Sequence, residues 1–141
     1  MRLCLLLGLL LCCSSVFAGL PETPQFRQVT VADGLPSSTL YAVTQDKKGY
    51  LWIASKDGLA RYDGVSYKIY RYEPGNENAL PGNVVQALYV DNQDRLWIAI
   101  EGQGISRLSA DRRTFTHFRK STHPEMGSDD VWAMTMTADG A

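Results

Sequence analysis

Three sets of side chains have types and spacings that could do chemistry. Trp52 and Trp97 recur 45 residues apart, and an indole held on a strand could stack on a sugar or a peptide. Asp46 and Asp91 open polar turns six residues before each tryptophan, and aspartate-rich turns can hold calcium. His117 and His123 flank a short polar turn, where two imidazoles could ligate a metal. Each set also has a plainer reading. A tryptophan fixed in a repeat is what stacked modules need for packing, at about 3–5 kcal/mol for truncation to alanine. Each turn offers one carboxylate and a Gly or Asp, with no run of alternating oxygen ligands, so backbone capping is the expected role. No cysteine stands near the histidines to complete a metal set, and they read as exposed loop residues. The basic pairs Arg112-Arg113 and Arg119-Lys120 read as a solvated edge. Ser37-Ser38 has no partner histidine, and no nucleophile with a matched base, phosphate loop or framed carboxylate pair occurs. No cofactor is called for, and no catalytic function is expected of this segment.

The elements that must position these residues are announced by repetition. Residues 41–54 (YAVTQDKKGYLWIA) return as residues 86–99 (QALYVDNQDRLWIA), and a third copy opens at Val131. Internal repetition on this scale marks a modular architecture. In the first copy, residues 40–45 alternate apolar and polar, Asp46-Lys47-Lys48-Gly49 is a turn, and 50–55 is apolar on both faces. Lys56-Asp57-Gly58 turns the chain again, Asp-Gly being a strong hairpin signal. Strands at 59–62 and 65–72 complete the unit. The second copy predicts strands at 84–90, 95–100, 105–108 and 114–119, with Gly104 in the turn before the third. Polar segments 73–81 and 120–127 separate the units. No stretch has a helical period with caps.

The fold class is therefore all-β: two four-stranded antiparallel modules and the start of a third, as in a partial β-propeller. A β-sandwich would not place the same Leu-Trp-Ile in each unit. The expected divisions are a signal peptide at 1–18, a linker with an orphan strand at 19–34, blades at 35–79 and 80–125, and an incomplete third blade at 126–141. The structural repeat positions are Asp46, Gly49, Trp52, Gly58, Asp91, Trp97 and Gly104.

Residues 1–18 read as a secretory signal: Met1-Arg2, an eleven-residue apolar run from Leu3 to Cys13, then Val16-Phe17-Ala18 before Gly19. The run is short for a bilayer, which needs about 20 helical residues. All three cysteines lie within it, so the mature chain carries no disulfide or thiolate metal site. Loss of Arg2 leaves 13 basic and 15 acidic residues, a balance that does not suggest nucleic acid as a partner.

Leu35-Pro36-Ser37-Ser38, Asp46-x-x-Gly49-x-Leu51-Trp52-Ile53-Ala54 and Gly58-Leu59-x-Arg61-Tyr62-Asp63, taken together, resemble the two-component regulator propeller repeat. The resemblance runs from Asp33 to the end. The second copy departs from it: Asp94 replaces the turn glycine, one residue is inserted before Gly104, and Leu108-Ser109 replaces Tyr-Asp. Thr137 stands where Asp46 and Asp91 stand. The resemblance implies a periplasmic ligand-sensing input region of a two-component or cyclic-di-GMP receptor. Its partners would be a small-molecule or glycan ligand, the remaining blades and an output domain, with a homodimer as one full-length form. The alternatives are part of a secreted propeller enzyme, lyase-like, or a truncated remnant. Two further expectations concern the chain ends. Residues 26–31 should act as an orphan strand that closes a ring, and the third copy should continue beyond Ala141.

Overall fold

The computed structural model describes residues 25–109 and 111–137. The signal-peptide assignment, the first part of the linker and the Asp139-Gly140 turn lie outside the described residues. Eight strands run β1 (Leu40–Gln45), β2 (Leu51–Ser55), β3 (Gly58–Tyr62), β4 (Tyr67–Tyr70), β5 (Val85–Val90), β6 (Leu96–Ile100), β7 (Gly104–Leu108) and β8 (Phe115–Phe118). They form two four-stranded antiparallel sheets, β1-β2-β3-β4 and β5-β6-β7-β8. All eight expected strands are present, trimmed by a residue or two at several ends. The outer strands shorten most: β4 stops at Tyr70, because the N–H of Tyr72 turns to the side chain of Asn83 at 2.7 Å.

The two sheets share irregularities as well as order. The first hairpin of each has a register shift at the same place, between Leu40 and Ala42 and between Val85 and Ala87. Such a bulge bends the inner strand and strengthens its twist. The sheets then stack, β5 packing against β1 and β2.

Alternation along β2 explains why this strand is apolar on both faces. Trp52 and Ala54 point into a core shared with Leu80, Val85, Leu96, Ile98, Ile100, Leu108 and Phe115 of the second unit. Ile53 points the other way, into a smaller cluster with Leu35 and Ala60, bordered by Tyr67 and Ile69. Leu35-Pro36 and Leu80-Pro81 thus hold matching posts, each leucine plugging the face of the sheet that follows it.

Two stretches read as strands have no ladder partner among the described residues. Residues 25–30 pair with no sheet, and Val31–Asp33 is a single 3-10 turn. Asp33 Oδ2 accepts from the N–H and hydroxyl of Thr30 at 2.8 and 2.9 Å, which closes this turn locally. Phe26 is left 94% exposed. Residues 131–137 also form no ladder. A strand exists only through its neighbour's hydrogen bonds, and no second strand of a third unit lies among the described residues. The path is nevertheless that of a third inner strand. Asp129 repeats the bonds of Asn83: its carbonyl accepts from Gly104 N at 2.9 Å and its carboxylate from Lys120 N at 2.7 Å. Asn83 does the same for Gly58 N and Tyr72 N, both at 2.7 Å. Farther on, Asn92 Nδ2 reaches Met136 Sδ at 3.9 Å.

Candidate ligand groove and the turns that frame it

Strand alternation sorts the repeat residues to two ends of the stacked sheets. Asp46, Gly49 and Asp91 lie at one end, in the β1–β2 and β5–β6 turns. Trp52 and Trp97 stand beside them at the starts of β2 and β6. Gly58 and Gly104 lie at the opposite end, where the chain also crosses from one sheet to the next.

At the first end, one carboxylate organises each turn. Asp46 Oδ1 accepts from the N–H groups of Lys48 and Tyr50, both at 3.0 Å, and Oδ2 accepts from Trp52 Nε1 at 2.9 Å. Asp91 repeats this with Gln93 N and Arg95 N at 2.9 Å and Trp97 Nε1 at 2.7 Å. These aspartates cap backbone and fix an indole, and both are buried. Burial by itself would raise the Asp91 carboxyl. The hydrogen bonds from the Trp97 indole, the Arg95 backbone and side chain, and the Gln93 N–H prevail and lower it to about 2.

The two tryptophans differ in setting. Trp52 is fully buried between the sheets, 5.8 Å from Tyr70. Trp97 is half-buried on the face turned away from the first sheet, beside Phe118 at 5.5 Å and between Arg95 and Arg107. Trp132, on the third copy, is 74% exposed.

Arg112 corrects the expectation of a solvated basic edge. It is only 7% exposed. The turn before β8 is two residues longer than its counterpart before β4, and it carries Arg112 back across the seam. There Nη2 donates to Asp94 O at 3.1 Å, Asp94 Oδ2 at 3.3 Å and Asp46 Oδ2 at 3.4 Å, and the guanidinium lies 5.6 Å from the Trp52 ring. Asp94 and Arg112 both adopt positive φ, 62° and 60°. Asp94 does so at the turn position that Gly49 holds in the first copy, with φ 88°. The left-handed region disfavours side chains, but here the aspartate also accepts from Lys47 N at 2.8 Å and so ties one turn to the next.

The opposite end holds the concave surface. Residues 72–81 and 119–122 form two walls of a groove of about 770 Å³, with β8 between them. Tyr72, Glu73, Glu77, Gln103, His117 and Arg119 are among the side chains lining it. His117 is another correction: it lies on β8, within the strand expected at 114–119, and is half-buried where an exposed loop residue was expected. A carbonyl can only accept, so His117 Nε2–H donates to Glu77 O at 3.1 Å. In the neutral ring Nδ1 then accepts from Ser106 Oγ at 2.8 Å. Ser106 is fully buried, so this pair pins the loop wall and offers no accessible nucleophile. His123 packs against Phe118 at 5.1 Å, away from His117. Among the described residues no three His, Cys, Asp or Glu side chains gather as a metal set.

Sequence reasoning weighed His117 only as a metal ligand, read Arg112 and Arg119 as a solvated edge, and gave Gln103 no role. The signal for them lay in the differences between copies, where the β7–β8 turn is longer and Ser106-His117 stands for Ala60-Ile69.

Two consecutive four-stranded meanders, stacked face to face with matching bulges and matching crossovers, are blades of a β-propeller. Residues 34–57 and 79–102 match the model of the Two component regulator propeller family. A stretch of 55 residues, 39% of the chain, is 40% identical to Histidine kinase P4 of Formosa agariphila and covers 4% of that protein. The fold is similar to that of the extracellular domain of a B. thetaiotaomicron protein described as a hybrid two component system. That match has a TM-score of 0.52 and 23% identity, covering 81% of this chain and 23% of that one. PorZ, a surface component of the type-IX secretion system of Porphyromonas gingivalis, is matched with a TM-score of 0.55 and 23% identity. It is covered over 17% of its length by 72% of this chain. The chain therefore spans a small part of each protein it resembles. Among the described residues no helix is long and apolar enough to cross a membrane.

Proposed function

We propose that these blades are part of a periplasmic, ligand-sensing propeller that forms the input region of a two-component or cyclic-di-GMP receptor. The signal-like residues 1–18 would direct export. The observation that carries the reading is the pairing of regulator-propeller repeats with a groove walled by inter-blade loops. On a repeat scaffold the constant residues build the stack, and the variable loops are free to recognise a ligand. The identity to a histidine kinase over 55 residues supports a signalling context.

The segment acts here without catalysis. A small molecule or glycan in the groove touches residues of both inter-blade loops, and so favours one arrangement of adjacent blades over another. The output domain and further blades belong to the larger receptor.

A thermal-shift screen of saccharides and other small molecules on the full chain tests this reading. A true ligand raises the melting temperature by mass action, worth about 2.7 kcal/mol at a hundredfold excess over Kd. The shift should vanish when the groove residues Tyr72 and Thr116 are replaced by alanine, while the unliganded protein still melts cooperatively. Ligands that bind equally well to the altered groove would sink the proposal.

A further inference from the structure

The two blades are near copies, so a departure at equivalent positions isolates a change of role. In the first blade, Arg71 follows β4 and its Nε and Nη2 donate to Asp57 Oδ2 at 3.2 and 3.0 Å. This pair ties the end of the outer strand to the β2–β3 turn.

The backbone identifies the counterparts in the second blade. Gly58 follows Asp57, and a Cβ placed on it would meet Tyr70 O and Arg71 Cγ. Gly104 follows Gln103, and a Cβ there would meet Phe118 O and Arg119 Cα. The N–H groups of Gly58 and Gly104 donate to Asn83 O and Asp129 O in the same manner. Arg119 is thus the partner of Arg71, and Gln103 that of Asp57.

The cation is retained and its carboxylate is replaced by a neutral amide. Among the described residues no acidic side chain pairs with Arg119, and its buried Nε has no hydrogen-bond partner. An Nε–H so placed has lost water without gaining an acceptor, which favours any anion that reaches it. Arg119 and Gln103 both line the groove. Of the acidic residues nearby, Glu73 already accepts from Asn76 Nδ2 at 2.6 Å, Asp129 beside the Arg119 backbone already accepts from Lys120 N at 2.7 Å, and the Glu77 main chain is held by His117.

We propose that Arg119 recognises a carboxylate on the groove's ligand, which supplies from outside the group that Asp57 supplies to Arg71. The inference rests on the groove being the ligand site and adds the chemistry of what binds there. Gln103 strengthens the fit, because its amide N–H donates where an aspartate would repel. The internal template makes a carboxylate the expected anion: the matching arginine meets one carboxylate oxygen through Nε and Nη2, contacts that arginine's fork is suited to make.

The test compares glucuronate with glucose, which differ at the carboxylate, and adds acetate and sulfate as simple anions. Arginine Nε–H resonances of the full chain are followed by NMR, and affinities are measured by titration. Glucuronate and acetate at millimolar concentration should move the Arg119 signal, and glucose should not. Arg119→Gln should weaken glucuronate binding at least tenfold. Gln103→Asp should do the same for the opposite reason, by restoring the internal pair of the first blade, and it keeps the fold while doing so. Three results each overturn the inference: no carboxylate moves the Arg119 signal, both variants bind as well as the parent, or sulfate alone binds. A ligand from the screen that lacks an anion and binds Arg119→Gln normally overturns it too, and leaves the sensing role standing. Ligands indifferent to the Tyr72 and Thr116 replacements remove the sensing role first.

Discussion

The Asp46–Trp52 corner and the Asp91–Trp97 corner are built from one motif and are completed in opposite ways. Each carboxylate caps two backbone N–H groups and holds an indole N–H. At Asp46 the cation arrives from the next blade, where Arg112 also covers Trp52. At Asp91 it comes from the same turn, through Arg95 Nε at 2.5 Å. The first corner is therefore an inter-blade joint, and the second is closed on itself. A repeat motif settles the geometry of its own turn, while its energetic weight depends on which neighbour covers it.

The largest break in that comparison should come from the tryptophans. Trp52→Ala should cost about 3–5 kcal/mol in urea unfolding, as expected for a fully buried aromatic. Trp97→Ala should cost roughly half as much, because its ring is only half-buried. Equal losses would show that burial between blades does not set the weight of the motif.

Acid should then weaken the Asp91 corner. The Asp91 carboxyl titrates at about 2 in the folded protein against 3.8 for an ordinary aspartate. A lowered folded pKa means that stability is fully present above the unfolded value and is lost as pH falls from about 4 through 2. The contribution is on the order of 2 kcal/mol. Asp91→Asn should flatten that part of the pH–stability curve, and an unchanged curve would show that Asp91 does not carry the loss.

The Arg112 clasp is a smaller effect. A double-mutant cycle between Asp46→Asn and Arg112→Met should return a coupling of about 1 kcal/mol, and the same cycle between Asp91 and Arg112 about zero. Coupling of Arg112 to Asp91 instead would contradict the placement of the clasp.

The finest distinction is at Asp94. Asp94→Gly relieves a positive φ but gives up the bonds from Lys47 N and Arg112. These terms oppose one another at about 0.5–1 kcal/mol each, so a net loss below about 1 kcal/mol is expected from chemical denaturation. A clear gain would mean that the turn-to-turn bonds contribute nothing.

Much of this architecture was legible in the repeats. The eight strands, their antiparallel order and the buried second strand follow from apolar alternation and from Asp-Gly and Lys-Gly turns, which are local signals. The parts that were not legible depend on partners far apart in the chain. Arg112 looks like a surface charge until the longer β7–β8 turn swings it to Asp46, 66 residues earlier. His117 reads as an exposed residue until the fold sets it between Ser106 and Glu77. Residues 26–31 and 131–137 have strand-like composition, yet a ladder needs a second backbone, and the described residues provide none.

By itself, then, the sequence determined the blade: its period, its turns, and the carboxylate and indole that recur at each corner, since all of these are satisfied within a few residues. Only the tertiary structure decided what each copy is for. Stacking buried Trp52, left Trp97 half-covered and drew Arg112 into the seam. Those outcomes depend on which blade lies against which, and contact between distant segments is the one quantity a local pattern does not carry.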